Sequence, residues 1–208
     1  HGQIRRQRQM CIRDRLRSYR LDRVKKELEK NNLEACILFD PVNVRYALDT
    51  LNMSVYNMHN LTRYCFVPVN GPVILYEYFN CENLSEGLNL IDEIRPAITW
   101  DYFSNGDQAN EQLKKWVYEI EDLSKNYFKS KKVAIDVLNG PAVTALNNAG
   151  IQVVDAKLIL EQARVIKSAE ELKCMKAALE VAEIGVAKMR EEMKAGMTCL
   201  LYTSDAAD

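Results

Sequence analysis

The segment Arg164-Val165-Ile166-Lys167-Ser168-Ala169-Glu170-Glu171-Leu172 carries a strong signal for the start of a helix. Ser168 can accept the backbone N–H of Glu171, whose carboxylate can reach back to the Ser168 N–H, which is the capping-box arrangement. Apolar residues follow at alternating steps of three and four: Leu172, Met175, Leu179, Ala182, Val186, Met189 and Met193. This heptad spacing predicts a helix of about 25 residues that ends at Gly196 and is longer than the average globular helix.

Upstream of this helix, apolar runs typical of strands alternate with amphipathic segments typical of helices. The predicted strands are 35–39, 63–67, 72–76, 94–99, 132–137 and 151–154, and the predicted helices are 16–31, 43–49, 81–88, 109–128 and 140–149. The alternation predicts an α/β fold with a mixed sheet flanked by helices. Because the domain looks complete at Val154, we expect the heptad seam to face a second domain. The alternative is a core helix packed on the same sheet.

Residues 50–62 interrupt this alternation. They are polar, aromatic and rich in methionine, and they show neither helical nor strand periodicity. They lie between a predicted strand–helix pair and a predicted hairpin across Asn70-Gly71, a strong turn signal. We therefore expect a surface loop.

The two ends of the chain read as translated sequencing adaptor. Residues 6–15 can be back-translated as CGG-CAG-CGT-CAG-ATG-TGT-ATA-AGA-GAC-AG, and the reverse complement of this word encodes the residues from Cys199 to Ala207. The word resembles a transposon-end adaptor. We therefore expect residues 1–15 and 199–208 to be adaptor-like and to take no part in the fold. A genuine basic arm that binds nucleic acid or a membrane is the alternative.

Net charge, apolar runs and cysteine spacing argue against several classes of protein. The formal net charge is −1, and discounting the five arginines and three aspartates of the two ends makes it −3, which argues against a nucleic-acid partner. No apolar run approaches the roughly 18 residues of a membrane span. The cysteines outside the ends are widely spaced and form no C-x-x-C pair: Cys36, Cys65, Cys81 and Cys174. We expect reduced core thiols in a cytoplasmic protein, not disulfides or a zinc site.

Three features together resemble one family. The segment 164–172 resembles the R-x-I-K-S-x-E-E linker of the pita-bread metallopeptidase superfamily, which joins an N-terminal domain to a catalytic domain. Asp40-Pro41-Val42-Asn43-Val44-Arg45-Tyr46 resembles the segment after the first strand in creatinase, prolidase and aminopeptidase P relatives. Asp136 followed by residues 156–164 resembles their later order of elements. Residues 44–60 look closest to the dimethylsulfoniopropionate lyase-like group.

The resemblance implies a creatinase-type N-terminal domain over residues 16–163, followed at 164–198 by the linker and first helix of a truncated pita-bread catalytic domain. Superfamily members hold divalent metal (Mn, Zn, Co or Fe) on Asp, His and Glu residues of the catalytic domain. We therefore expect no metal ligand and no catalytic residue in this chain. His59 is favoured as a loop residue facing solvent or substrate over a metal ligand.

In creatinase and the lyase, the loop after the first strand and helix supplies dimer contacts and reaches the neighbouring active site. The resemblance assigns this role to residues 51–63, with Tyr56, His59, Asn60 and Arg63 as the substrate-binding candidates. Aromatic faces can hold onium groups, and a guanidinium can hold a carboxylate. An ordinary surface loop covering the sheet edge is the equal alternative.

Taken together, the sequence favours the N-terminal domain of a metal-dependent creatinase or Xaa-Pro peptidase-like enzyme. The parent enzyme is expected to be a homodimer acting on a small molecule or peptide, and this chain alone is expected to be inactive. One alternative is a dimethylsulfoniopropionate lyase-like C–S lyase. The other is a non-enzymatic pita-bread protein that binds peptides or histones. Five metal ligands in the sequence after residue 198 would identify an enzyme.

Overall fold

A single six-stranded sheet lies at the centre of the fold. The computed structural model describes residues 2–198, with the side chains of residues 13–198. The strands are β1 (Ala35–Leu38), β2 (Tyr64–Pro68), β3 (Ile74–Glu77), β4 (Glu93–Pro96), β5 (Lys132–Ile135) and β6 (Gln152–Asp155). Their order is β4-β3-β2-β1-β5-β6. Since β1 pairs antiparallel with β2 and parallel with β5, the predicted mixed sheet is confirmed.

The α-helices of the described residues are α1 (Gly2–Lys30), α2 (Pro41–Leu48), α3 (Ser54–His59), α4 (Tyr102–Asn105), α5 (Ala109–Tyr127), α6 (Gly140–Asn148), α7 (Lys157–Val165) and α8 (Ala169–Glu192). The start of α2 shows how the sequence sets such a boundary. The Asp40 side chain accepts the backbone N–H groups of Val42 and Asn43, and Pro41 occupies the first turn, where it needs no hydrogen-bond partner.

Helices cover both faces of the sheet. Alternation along β1 sends Cys36 and Leu38 into one core and Ala35 and Ile37 into the other, and all four are fully buried. Residues of α1, α2 and α7 complete the first core, and residues of α5 and α6 complete the second. Because both of its faces are covered, β1 is apolar along its whole length.

The core is not complete at Val154, contrary to the prediction. Ile159, Leu160 and Ala163 of α7 are buried in the same cluster as the apolar face of α1. The Arg23 side chain of α1 donates to the backbone oxygen of Ala163 at 3.3 Å. The sheet ends with β6, but the helical layer beside α1 needs α7 as well.

Three short segments also differ from the predictions. Residues 54–59, predicted as part of a loop, form α3. The helix expected near 81–88 is a single 3-10 turn over Glu82–Ser85, and Gly87, just after it, has a φ of +78° that an α-helix does not adopt. The unpredicted α4 is capped by Asp101, which accepts the Ser104 N–H at 2.7 Å. Elements this short contain too few residues to reveal a period.

Helix α1 begins before the predicted start at residue 16. It runs from Gly2, and Leu21 is the first buried side chain among those described. Asp14 pairs with Arg17 at 3.2 Å on the helix surface. The assignment of residues 1–15 to adaptor sequence stays a prediction, and residues 199–208 lie outside the described residues.

Helix α8 begins at the predicted capping box. Ser168 Oγ accepts the Glu171 N–H at 3.2 Å, and Glu171 Oε2 accepts the Ser168 N–H at 2.9 Å. The helix has 24 residues and ends at Glu192, before the predicted Gly196. The chain divides into two compact units between Ile166 and Lys167. Along α8 and at the residue that caps its C-terminus, Met193, five seam residues are between 47% and 61% exposed: Leu172, Met175, Leu179, Val186 and Met193.

The four cysteines whose side chains the structure describes are free thiols. Cys36 and Cys65 are fully buried in β1 and β2, which confirms their prediction as strand residues of the core, whereas Cys81 is partly buried and Cys174 is exposed. Across residues 2–198, no helix combines the length and the apolar character needed to span a membrane.

Candidate functional site

The segment 50–63 joins α2 to β2 and contains all four predicted substrate-binding residues. Met53, at the start of α3, has a φ of +35°, which is uncommon for a residue with a side chain. The apolar side chains of α3 face outward, with Val55 74% and Met58 62% exposed. Its one fully buried residue is Asn57. Polar contacts, not an apolar face, therefore hold α3 in place.

A buried ion pair anchors this segment to the sheet. Arg63 Nε donates to Glu77 Oε1 at 2.7 Å, and the two side chains are 2% and 0% exposed. Arg63 Nη2 also donates to Thr50 Oγ1 at 2.7 Å and to Ser85 Oγ at 3.4 Å. Burial acts to raise the pKa of Glu77, but the hydrogen bond and charge of Arg63 outweigh it and leave that pKa below its ordinary value. The Glu77 carboxylate is therefore charged at neutral pH.

Side-chain amides extend this pair to α3. Asn52 Nδ2 donates to Glu77 Oε1 at 2.9 Å. Asn57 Nδ2 donates to the Asn52 backbone oxygen at 2.5 Å, and Thr62 Oγ1 donates to Asn57 Oδ1 at 2.9 Å. All of these side chains are buried. The network is continuous from the end of β3 to the buried side of α3.

Three of the predicted residues, Tyr56, His59 and Asn60, lie together on or beside α3. His59 is exposed, and Tyr56 and Asn60 are partly buried. The Tyr56 and Tyr78 rings meet edge to face with centroids 6.0 Å apart. Burial, then the neighbouring Tyr78 and Asp101, raise the pKa of the Tyr56 phenol, which therefore stays protonated at neutral pH. Asn60 Nδ2 donates to the Tyr56 backbone oxygen at 3.2 Å and closes the end of the helix.

Arg63 is not brought to the surface with these three. It was expected to present its guanidinium to a substrate carboxylate, but it holds the carboxylate of Glu77 inside the fold. It precedes β2 directly, and its side chain reaches the end of the neighbouring β3. Substrate binding by the four residues stays a prediction, and the geometry suits Tyr56, His59 and Asn60 better than Arg63.

The polar residues that organise the segment were not predicted from the sequence: Thr50, Asn52, Asn57, Thr62, Glu77 and Ser85. One signal was available for Glu77. It directly follows the apolar run Val73–Tyr76, and a charged residue at the end of a buried strand needs a partner. The partner of Glu77 could not be read from the sequence, because hairpin pairing and a distant turn bring Arg63 and Ser85 to it.

The residues that carried the family resemblance meet in a second polar cluster, beside the carboxyl ends of β1 and β5. Four donors reach Asp136 at 2.7–3.2 Å: the backbone N–H groups of Phe39, Asp40 and Val137 and the side-chain amide of Asn43. Arg164 donates to Asn43 Oδ1 at 3.1 Å. Burial raises the pKa of Asp136 despite these hydrogen bonds. The cluster ties the start of α2 to β5 and to α7, which is a scaffolding arrangement.

The described side chains do not suit a divalent metal. Within residues 13–198, no three or more His, Cys, Asp or Glu side chains converge on one point. The carboxylates of the buried Glu77 and the partly buried Asp136 are instead occupied by N–H and O–H donors. A metal implied by the family resemblance would need ligands from elsewhere.

Comparison of sequences relates the chain to known lyases. No protein-family profile matches it. Over 189 residues it is 28% identical to the dimethylsulfoniopropionate lyase DddP of Roseobacter denitrificans, an alignment that covers 88% of this chain and 42% of the relative. The protein of the same name from Roseovarius nubinhibens gives the same identity and coverage. The chain thus spans less than half the length of the curated relatives it matches.

Comparison of structures identifies the fold. The prolidase of Thermococcus sibiricus superposes with a TM-score of 0.67 at 16% identity, covering 91% of this chain and 48% of the prolidase. The prolidase of Pyrococcus horikoshii superposes with a TM-score of 0.64 at 16% identity, covering 90% of this chain and 46% of the prolidase. The sequence and structure comparisons together confirm the predicted resemblance to the creatinase-like, pita-bread superfamily and its mixed α/β N-terminal domain.

Proposed function

We propose that this chain is the N-terminal domain of a metal-dependent, creatinase or Xaa-Pro peptidase-like enzyme. In this proposal it contributes dimer contacts and part of a substrate pocket, and it has no activity alone. Support comes from the prolidase-like fold and from the 42% of the lyase relatives' length that the chain spans. The metal and its ligands are assigned to the remaining length of the complete enzyme.

The observation that carries the proposal is the construction of α3. A short helix that turns Val55 and Met58 outward while burying Asn57 is unusual, since exposed apolar side chains cost solubility. Phe79, adjacent to the Tyr78 that contacts Tyr56, is also 73% exposed. An apolar surface that lies on a helix anchored by buried polar contacts and that is left exposed suits contact with a second subunit, with His59 and Tyr56 available for a small polar substrate.

Subunit complementation tests the pocket assignment in the complete enzyme. His59→Ala and Tyr56→Ala should each reduce kcat/KM roughly tenfold or more if the residue binds the substrate. Each variant would be co-expressed with a subunit that lacks a metal ligand. If α3 serves the partner's site, mixed dimers retain one intact site, and the sample recovers about a quarter of wild-type activity.

Tyr118→Ala is the matched control, because Tyr118 is an exposed tyrosine on α5 (68%) and takes no part in the segment. It should leave kcat/KM unchanged. Mixed dimers that remain inactive while both variants still dimerise would show that α3 does not act on the partner's site.

The chain alone should retain no divalent metal after purification and should turn over neither a Xaa-Pro dipeptide nor dimethylsulfoniopropionate. The reason is that the described side chains offer no converging ligand set. Elemental analysis of the purified chain measures this directly. Stoichiometric zinc, iron or manganese would contradict the assignment of the metal to the rest of the enzyme.

A C–S lyase is the second candidate function, because both sequence relatives carry the name dimethylsulfoniopropionate lyase. Assaying the complete enzyme with dimethylsulfoniopropionate and with Xaa-Pro dipeptides separates the two activities. Turnover of neither substrate by a complete protein that also binds no divalent metal would favour the non-enzymatic peptide- or histone-binding class.

A further inference from the structure

We propose that Glu77 is a positioning residue: its buried pair with Arg63 fixes the place of α3 on the domain and thereby the places of Tyr56 and His59. Glu77 does not touch a substrate in this proposal. It acts through the side chains that surround α3. The consequence for substrate binding rests on the proposed function, whereas the positioning of α3 does not.

Glu77 gathers donors from the parts of the chain that flank α3. Its Oε1 accepts a hydrogen bond from Nε of Arg63, a residue that follows α3, at 2.7 Å. The same oxygen accepts a hydrogen bond from Nδ2 of Asn52, a residue that precedes α3, at 2.9 Å. Its Oε2 accepts from Ser85 Oγ at 3.1 Å, in the 3-10 turn after β3. The Tyr78 N–H adds a bond to Oε1 at 2.9 Å. One carboxylate thus fixes both ends of the segment against the sheet.

A second set of contacts passes from this carboxylate into α3. Asn57 is hydrogen-bonded on one side to Asn52 and on the other to Thr62, at 2.5 Å and 2.9 Å. Arg63 completes the loop by donating to Thr50 at 2.7 Å. Every one of these five residues is at most 6% exposed, so water cannot readily replace the contacts.

Stability alone does not explain this arrangement. A buried ion pair is often no more stabilising than a well-packed apolar pair, although breaking it is costly. A helix of six residues has little stability of its own. No apolar residue of α3 is fully buried, so the hydrophobic core contributes little to its placement. What the network provides is one fixed geometry for a helix that would otherwise be mobile.

Hydrogen–deuterium exchange of the 208-residue chain tests the positioning role. In Glu77→Gln, the amides of residues 54–59 should exchange roughly tenfold faster than in the wild type. Amides of β1 and β5 should change by less than about twofold. Asn57→Ala leaves the ion pair intact and should give the same local effect, so the test survives if Glu77→Gln fails to fold.

Glu93→Gln is the matched control, since Glu93 and Arg95 form a pair of the same length, 2.7 Å, on exposed side chains. It should leave exchange unchanged in both regions. The proposal would be overturned if amide exchange in Glu77→Gln and Asn57→Ala became faster by the same factor in residues 54–59, β1 and β5. That result would mean that the network stabilises the whole domain and does not position α3. The absence of any local change in these variants would also overturn the proposal.

A kinetic measurement separates this inference from the proposed function. In the complete enzyme, Glu77→Gln should raise KM roughly tenfold with a smaller change in kcat, because a misplaced α3 weakens substrate binding before chemistry. Local acceleration of exchange together with an unchanged KM would sustain the positioning role. That same result would overturn the assignment of the substrate pocket to α3.

Discussion

Glu77 is fully buried and Asp136 is partly buried, and the pKa values of their carboxylates move in opposite directions. Burial acts to raise both pKa values, and for Asp136 it prevails, since every donor to that carboxylate is neutral. Glu77 faces the guanidinium of Arg63, whose hydrogen bond and charge reverse the effect of burial. The nature of the donor, charged or neutral, decides how each residue responds to pH and to substitution.

Glu77→Gln should lower the free energy of unfolding by about 3 kcal/mol at neutral pH, because it leaves Arg63 buried without a counter-charge. The pKa of Glu77 is lower in the folded than in the unfolded state. Its stabilisation is therefore fully present above the unfolded value of about 4.3 and is lost as pH falls through the folded value. Urea unfolding of wild type and variant from neutral to acidic pH measures this difference. If the difference in the free energy of unfolding between wild type and variant did not change with pH, the lowered pKa of Glu77 in the folded state would be contradicted.

Asp136→Asn should lower the free energy of unfolding by about 2 kcal/mol, because the new NH2 group must face a donor that the carboxylate had accepted. Asp155→Asn is the control. Asp155 ends the neighbouring strand β6, is exposed, and accepts a single N–H, from Lys157 at 2.8 Å. It should change stability by no more than about 0.5 kcal/mol. Equal effects of the two substitutions in chemical denaturation would show that the converging donors do not matter.

Helices α3 and α8 both leave apolar side chains exposed, for different reasons. In α3 the buried position is polar and the outward positions are apolar. A helix of about one and a half turns with this pattern stays in place only because the hydrogen-bond network anchors it. In α8 the heptad seam is regular and long, and its apolar residues are about half exposed. A regular seam of this kind packs against another helix or domain.

The seam of α8 should make the chain self-associate. An exposed apolar stripe is removed from water when two copies pair, so the apparent mass should rise with concentration. Light scattering coupled to size exclusion measures this. Leu179→Lys, on the seam, should abolish the association. Val181→Lys, an exposed position (70%) of the same helix off the seam, should retain it. A monomer at all concentrations, with slow amide exchange along 175–193, would refute the prediction.

Long helices were predicted from the sequence, and the shortest helices were not. The apolar stripe of α5 runs through Leu113, Trp116, Val117, Ile120 and Leu123, all buried, and its boundaries were predicted to within a residue. By contrast, α3 and α4 have six and four residues and were missed. A period cannot be recognised in one turn, and such elements form only because tertiary contacts favour them.

Deleting residues 1–15 and 199–208 should leave the melting temperature of the whole molecule within about two degrees of that of the 208-residue chain. Among the described side chains of α1, the first buried residue is Leu21, and Arg13, Asp14 and Arg15 are exposed. Calorimetry of the shortened and complete chains makes the comparison. A loss of about ten degrees would show that the ends contribute to the fold.

Local patterns in the sequence were sufficient to predict the α/β class, the hairpin, the capping box and most long helices and strands. These features depend on residues close together in the chain, where period, turn residues and caps are visible. Contacts in the folded chain were needed to find that α7 completes the core and that Glu77, not a substrate, is the partner of Arg63. The first outcome joins segments 140 residues apart, as in the contact of Arg23 with Ala163, and the second depends on the pairing of β2 with β3. A buried charge signals that it needs a partner, but the folded chain determines which residue meets it.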